Sequence, residues 1–220
     1  MTTQQIAPLQ APSGAPPGGP GKARLPLLLT LELAQPGRGV LQALRNRLFP
    51  PERNVVPAHV SLFHHLPGEA LGLVRHRLEA VEDARMVVTV DPPRFTGRGV
   101  SFPLRAAALV GLRAALAESW SHWLTPQDRQ KFQPHVTVQN KVSPEEARAA
   151  HARLSTGFVP WSTEGTALLL WRYLGIESGG RWEALNRYPL AEPPADDAQP
   201  ENAPPHDARP RRAVPVGRRR

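Results

Sequence analysis

The chain carries one short pattern twice. Pro57-Ala58-His59-Val60-Ser61-Leu62 and Pro134-His135-Val136-Thr137-Val138 each read His, apolar, hydroxyl, apolar, with the histidines 76 residues apart (59 to 135). Such alternation marks a strand with one buried face. Side chains two apart on a strand share a face, so His59 stands beside Ser61 and His135 beside Thr137. Val60, Leu62, Val136 and Val138 then point the other way, into a core. Each strand offers one imidazole and one hydroxyl to the same side. With eight His and 19 Ser+Thr in the chain, chance supplies about 0.1 copies once both apolar flanks are required. Two copies therefore constrain the fold.

Their surroundings repeat as well. Leu27–Leu33 reads as an apolar strand, followed by a helix from about Gly39 to Leu48 that Pro50 and Pro51 end. Ala58–His65 alternates as a strand. Gly68–Ala84 has the helical stripe Leu71, Val74, Leu78 and Val81. Met86–Val90, Arg94–Thr96 and Val100–Leu104 are strands, the last two separated by the turn residues Gly97 and Gly99. The second half repeats the order: helix Ala107–Trp123, strand Phe132–Val138, and helix Pro144–Leu154 with Ser143 as N-cap and Glu145–Glu146 in its first turn. Thr166–Leu170, Trp171–Ile176 and Trp182–Pro189 close it, with Gly179–Gly180 turning between the last two. The order predicts an α+β domain of two similar lobes.

Proline bounds that domain. Residues 1–26 hold six Pro and residues 191–220 seven, so 13 of the 26 lie in 56 residues. Ala11–Gly21 has almost no bulky apolar side chain to offset its ordering entropy. The C-terminal segment ends in Arg209, Arg211, Arg212, Arg218, Arg219 and Arg220, with no acid from 208 onward. Residues 1–24 and 191–220 are expected to be disordered tails around a domain at 25–190. The formal charge is +8, and a basic tail raises non-specific RNA affinity by counterion release. Arg outnumbers Lys 24 to 3, however, so composition alone accounts for the tail.

Composition excludes several functions. Cysteine is absent, which removes disulfide frameworks, thiolate zinc sites and cysteine nucleophiles. No apolar run approaches the ~18 residues of a membrane span. The N-terminus lacks the basic-then-apolar order of a signal peptide. A cytoplasmic protein with no membrane partner is expected.

The paired strands resemble the 2H phosphoesterase superfamily, and residues 25–190 resemble its bacterial 2′-5′ RNA ligase family. The resemblance rests on PAHVSLFHHLPG, PHVTVQNKVSP and the closing run Leu170-Trp171-Arg172-Tyr173-Leu174-Gly175. It implies a bilobal fold of two antiparallel sheets related by a pseudo-twofold, helices packed outside, and the histidines facing each other across a cleft. It also implies metal-free action, without a cofactor, on 2′,3′-cyclic phosphates or 2′-5′ phosphodiesters of RNA ends or small nucleotides, by a monomer. Many members carry Arg five residues after the second histidine; here that place is Asn140, followed by Lys141.

That chemistry suits the residue types. Opening a cyclic phosphate takes a base to activate water and an acid to protonate the departing sugar oxygen. Histidine serves either role near neutrality, so His59 and His135 are the catalytic candidates, with the two roles unassigned. Ser61 and Thr137 can donate to the non-bridging phosphate oxygens. His65, Arg98, Lys141, Arg172 and Tyr173 are candidate substrate contacts. Simple alternation puts His65 on the face of His59, at the cleft rim, and turns His64 away. No metal-ligand spacing accompanies any histidine, and Trp120 and Trp123, three apart on a helix, read as core. The alternative function is a non-catalytic RNA-end binding module, in which the histidines serve only as donors.

Overall fold

A computed structural model describes residues 24–192. The expected tails lie outside the described residues, apart from their inner ends. Of those, Ala191 is held to the domain by a parallel bridge to Ala84, and Glu192 pairs with Arg85 at 2.8 Å.

The first repeat is β1 (Leu27–Leu33), α1 (Gly37–Leu48), β2 (Val60–Leu66) and α2 (Leu71–Glu79). β3 (Met86–Val90) and β4 (Arg94–Phe95) lead to the second: β5 (Val100–Arg105), α3 (Ala107–Ser119), β6 (His135–Gln139) and α4 (Pro144–Ser155). β7 (Trp161–Tyr173) and β8 (Trp182–Pro189) finish the domain. Each repeat is thus strand, helix, histidine strand, helix. The start of α4 follows from its residues. Ser143 Oγ accepts from the Glu146 N–H, Glu146 accepts from the Ser143 N–H at 3.0 Å, and Pro144 opens the first turn.

The α+β fold is as expected, and the sheets of the two lobes are hydrogen-bonded into one. Its order is β1-β2-β6-β5-β3-β7-β8, with β4 on β5, and a further β1–β7 pairing closes six strands into a ring. Every strand pairing is antiparallel. The segments read as separate strands at 166–170 and 171–176 are one 13-residue strand starting at Trp161. Its first part pairs with β3 and its second with β1, so β7 serves both lobes.

Leu31, Val60, Val136 and Phe102 form one row across four strands. All four are buried in a continuous core to which α1 adds Leu41 and Leu44, α2 Val74 and Leu78, and α3 Leu109, Leu112 and Leu116. The opposite face of these strands carries the polar residues singled out from the sequence.

Candidate active site

Val60 pairs with Val136, the single ladder pair between β2 and β6. One residue to either side along antiparallel strands, His59 stands opposite Thr137 and Ser61 opposite His135. The two copies of the pattern thus form a square, with the imidazoles on one diagonal and the hydroxyls on the other. The two rings are near enough for His135 to act electrostatically on His59, so both border one site. Flanking strands extend the face: Thr30 pairs with Ser61, Ser101 with Thr137 and Pro103 with His135.

Both imidazoles are anchored alike. His59 Nδ1 donates to the Pro57 carbonyl at 2.7 Å, and His135 Nδ1 to the Gln133 carbonyl at 2.9 Å. A carbonyl only accepts, so Nδ1 carries the proton and Nε2 of a neutral ring presents a lone pair. Among the described residues no hydrogen bond engages either Nε2.

The two rings differ in setting. His59 is half-buried and His135 exposed. Burial pushes the His59 pKa down to about 4; the Pro57 carbonyl opposes this, while electrostatic repulsion from the Arg45, His64 and His135 side chains adds to it. His59 is therefore neutral at pH 7.

Aromatic side chains wall the His59 side. Trp182 of β8 lies with its ring centroid 4.8 Å from that of His59, and Trp171 of β7 lies 6.0 Å from Trp182. Trp171 Nε1 donates to Thr30 Oγ1 at 2.9 Å, which ties the wall to the open face. Next to it, a cavity of about 580 Å³ is lined by Thr30, Glu32, Gln42, His59, Leu169 and Trp171, among others.

The remaining candidates fall elsewhere. Arg172 pairs with Leu27 across β1–β7 and so shares the core-side face, away from Trp171; its guanidinium donates to Glu183 at 3.1 Å. The register thus turns Arg172, expected from the sequence as a substrate contact, from the open face. Tyr173 shares the face of Trp171 and pairs with Trp182. Arg98 lies beside the turn that follows β6 and holds Lys141, where the Val142 N–H donates to the Arg98 carbonyl at 3.2 Å. Gly99 is required there, since a Cβ would stand 2.0 Å from the Gln139 carbonyl oxygen. Lys141 has φ of 61°, an uncommon conformation for a residue other than glycine.

His64 and His65 are both exposed, and counting alternate residues from His59 does not place them. The pairing with β1 slips beside Phe63, and Leu62 and Phe63 are both buried. Beyond the slip, the Asp128 carboxylate accepts from the His64 N–H, the His65 N–H and His64 Nδ1 at 3.0–3.2 Å.

Sequence reasoning missed Trp182, Arg45 and Arg113. Trp182 had a weak signal, facing Trp171 and Tyr173 across the Gly179–Gly180 hairpin. The two arginines had a better one. Arg45 follows Leu41 by four residues, and Arg113 follows Leu109 by four, so each interrupts the apolar stripe of its helix.

A sequence model of the 2′-5′ RNA ligase superfamily matches residues 32–177, well over half of the chain. The chain belongs to the 2′-5′ RNA ligase superfamily. A crystal structure of E. coli LigT complexed with 3′-AMP matches 77% of this superfamily member and 99% of its own chain, at 19% identity and a TM-score of 0.54. The crystal structure of TT0787 of Thermus thermophilus matches 76% and 99%, at 20% identity and a TM-score of 0.53. At these identities the likeness is one of fold. No curated protein sequence matches the chain. No helix among the described residues is long and apolar enough to cross a membrane.

Proposed function

We propose that the chain is a metal-independent phosphoesterase that opens 2′,3′-cyclic phosphates, or cleaves and joins 2′-5′ phosphodiesters, at RNA ends or in small nucleotides. The observation that carries this reading is the square of His59, Thr137, Ser61 and His135 around the Val60–Val136 pair. Binding alone does not require two symmetric imidazole–hydroxyl pairs with both Nε2 atoms directed by Nδ1 anchors.

His59, neutral at pH 7, takes the base role and His135 the acid role. Nε2 of His59 removes a proton from water as the water oxygen attacks phosphorus. The bond from phosphorus to one ribose oxygen breaks, and Nε2–H of His135 protonates that oxygen. Ser61 and Thr137 donate to the non-bridging oxygens as charge builds on them. The anionic phosphate favours protonated imidazole, so bound substrate makes His59 a stronger base than it is in the free protein. With the 5′-hydroxyl of a second strand in place of water, the same steps join a 2′-5′ bond: His59 takes the hydroxyl proton, the bond from phosphorus to the 3′ oxygen breaks, and His135 protonates that oxygen.

Trp182 and Trp171 supply a stacking surface for a nucleobase, and Arg98 and Lys141 reach a more distant phosphate of a longer substrate. Support for a nucleotide comes from E. coli LigT, a fold neighbour with structures holding 3′-AMP and NADP+.

The test is 31P NMR of a 2′,3′-cyclic nucleotide and a 2′-5′-linked dinucleotide incubated with the protein in the presence of chelator. Ring opening or cleavage is expected. Saturable binding of both without turnover would favour the RNA-end binding module instead.

A further inference from the structure

The ladder between the two histidine strands is a single residue pair, too short to fix the spacing of His59 and His135 by itself. Two buried arginines, one from each repeat, bridge the same gap. Arg45 of α1 is 4% exposed. Its Nε donates to Asn54 Oδ1 at 2.9 Å and the Val56 carbonyl at 3.2 Å, and its Nη1 to the Thr137 carbonyl at 2.8 Å. Arg113 of α3 is 7% exposed. Its Nε donates to the Leu62 carbonyl at 3.4 Å, and its Nη2 to the Asp128 carbonyl. Each guanidinium also lies over a phenylalanine, Phe49 at 3.9 Å for Arg45 and Phe63 at 4.3 Å for Arg113.

The two sets of contacts correspond. Arg45 ties the loop that enters β2 to the backbone of β6, and Arg113 ties the loop that enters β6 to the backbone of β2. Shifting by 76 residues takes Ser61 to Thr137, and the carbonyl that Arg113 reaches on β2 is the next one along, Leu62. Arg45 meets only neutral oxygens, and Arg113 has the Asp128 carboxylate nearby but donates to carbonyls. Burying a guanidinium is costly compared with an apolar side chain of similar size, so core packing alone does not account for either residue. What a guanidinium offers is a rigid planar fork of donors that can hold carbonyls from two segments at once.

We propose that Arg45 and Arg113 are a pair of positioning residues that set the distance between His59 and His135, each clamping the loop entering one histidine strand to the backbone of the other. The inference rests on the two-histidine reading above. A displacement of about 1 Å between reacting groups can cost about 100-fold in rate, so the clamp acts on the chemical step more than on binding.

The experiment measures kcat, KM and melting temperature for Arg45→Met, Arg45→Lys, Arg113→Met and Asn54→Ala, with a 2′,3′-cyclic nucleotide as probe. Each Met variant should lose about 10–100-fold in kcat with KM within about threefold of wild type. Arg45→Lys should not restore kcat, because an ammonium lacks the fork. Asn54→Ala removes one arm of the clamp without altering a buried charge, so it serves even where a Met variant does not fold; it should lower kcat about 3–10-fold. Wild-type kcat in Asn54→Ala or Arg45→Lys, or a loss confined to KM, would overturn the clamp. A wild-type protein that turns over no phosphoester would instead defeat the two-histidine reading. The ring-nitrogen NMR shifts of His59 and His135 then still report on the clamp. They should move in Arg113→Met, although no hydrogen bond joins Arg113 to either ring, and unmoved shifts would overturn it.

Discussion

His59 and His135 hold their imidazoles in the same way, each Nδ1 donating to the carbonyl two residues earlier, Pro57 at 2.7 Å and Gln133 at 2.9 Å. The bond fixes the tautomer of a neutral ring and directs Nε2 to the open face. Two rings held alike can still take opposite roles, because their surroundings differ. His59 is half-buried, against Trp182 and near the Arg45 cation, whereas His135 is exposed. Symmetry positions the pair, and burial distinguishes their settings.

The pH dependence of turnover follows from that difference. A base must be unprotonated, so kcat/KM should hold as pH falls until about 4, the His59 value in the free protein, and drop below it. The acid limb of kcat should lie at higher pH, because bound phosphate stabilises the imidazolium. Both profiles come from initial rates across pH 3.5–9. An acid limb of kcat/KM that stays near the ordinary histidine value of about 6.5 would contradict the assignment of His59 as base.

Trp182 should act on binding. Loss of one base–aromatic stack costs about 1–3 kcal/mol, so Trp182→Ala should raise KM roughly 5–100-fold for a nucleoside cyclic phosphate. A cyclic phosphate of a simple diol, which has no base to stack, should show no such change in KM. Equal effects on the two substrates would remove the stacking role.

Asp128 is a stability element. Its side chain is almost fully buried; burial alone would raise its pKa, but the bonds from His64 and the His65 N–H outweigh this and hold it below the usual carboxylate value. A depressed carboxylate pKa stabilises the fold above the unfolded value, and that stability is lost as pH falls through the folded one. Asp128→Ala also leaves two strand N–H donors without their acceptor. Denaturant titration at pH 7 should show a loss of about 2–4 kcal/mol. A loss that shrinks as pH is lowered would confirm the electrostatic part, and one under about 0.5 kcal/mol would contradict it.

Much of the open face was legible in the sequence because it depends on alternation over only three residues. His59 with Ser61, and His135 with Thr137, keep their relation whatever the rest of the strand does. Simple alternation does not carry six residues along, because two slips in the β1 pairing flank Phe63 between His59 and His65. Helices were legible from their stripes, but their ends were not. The helix expected to reach Trp123 stops at Ser119, where Trp120, nearly fully buried, is fixed into the core against Phe63. The helix expected over 68–84 is a 3₁₀ turn followed by α2, which ends at Glu79. The expected strand begins only at Thr166 because Ser162-Thr163-Glu164-Gly165 lacks the apolar residues of the later part of β7, yet that stretch pairs with β3. Trp182 reaches His59 from 123 residues away (59 to 182), a distance no local pattern spans. Arg172 stood in a family-like run, but one register step decides which face it takes.

The most direct test of the account is turnover of a 2′,3′-cyclic nucleotide by His59→Ala and His135→Ala, measured together with melting temperature. Each substitution should cut kcat by about 10²–10⁴-fold, and the double variant should lose far less than the product, because acid and base act as one unit. Folding should survive, since both side chains lie on the open face while Val60 and Val136 hold the core. Unchanged turnover in either folded single variant would contradict the two-histidine mechanism.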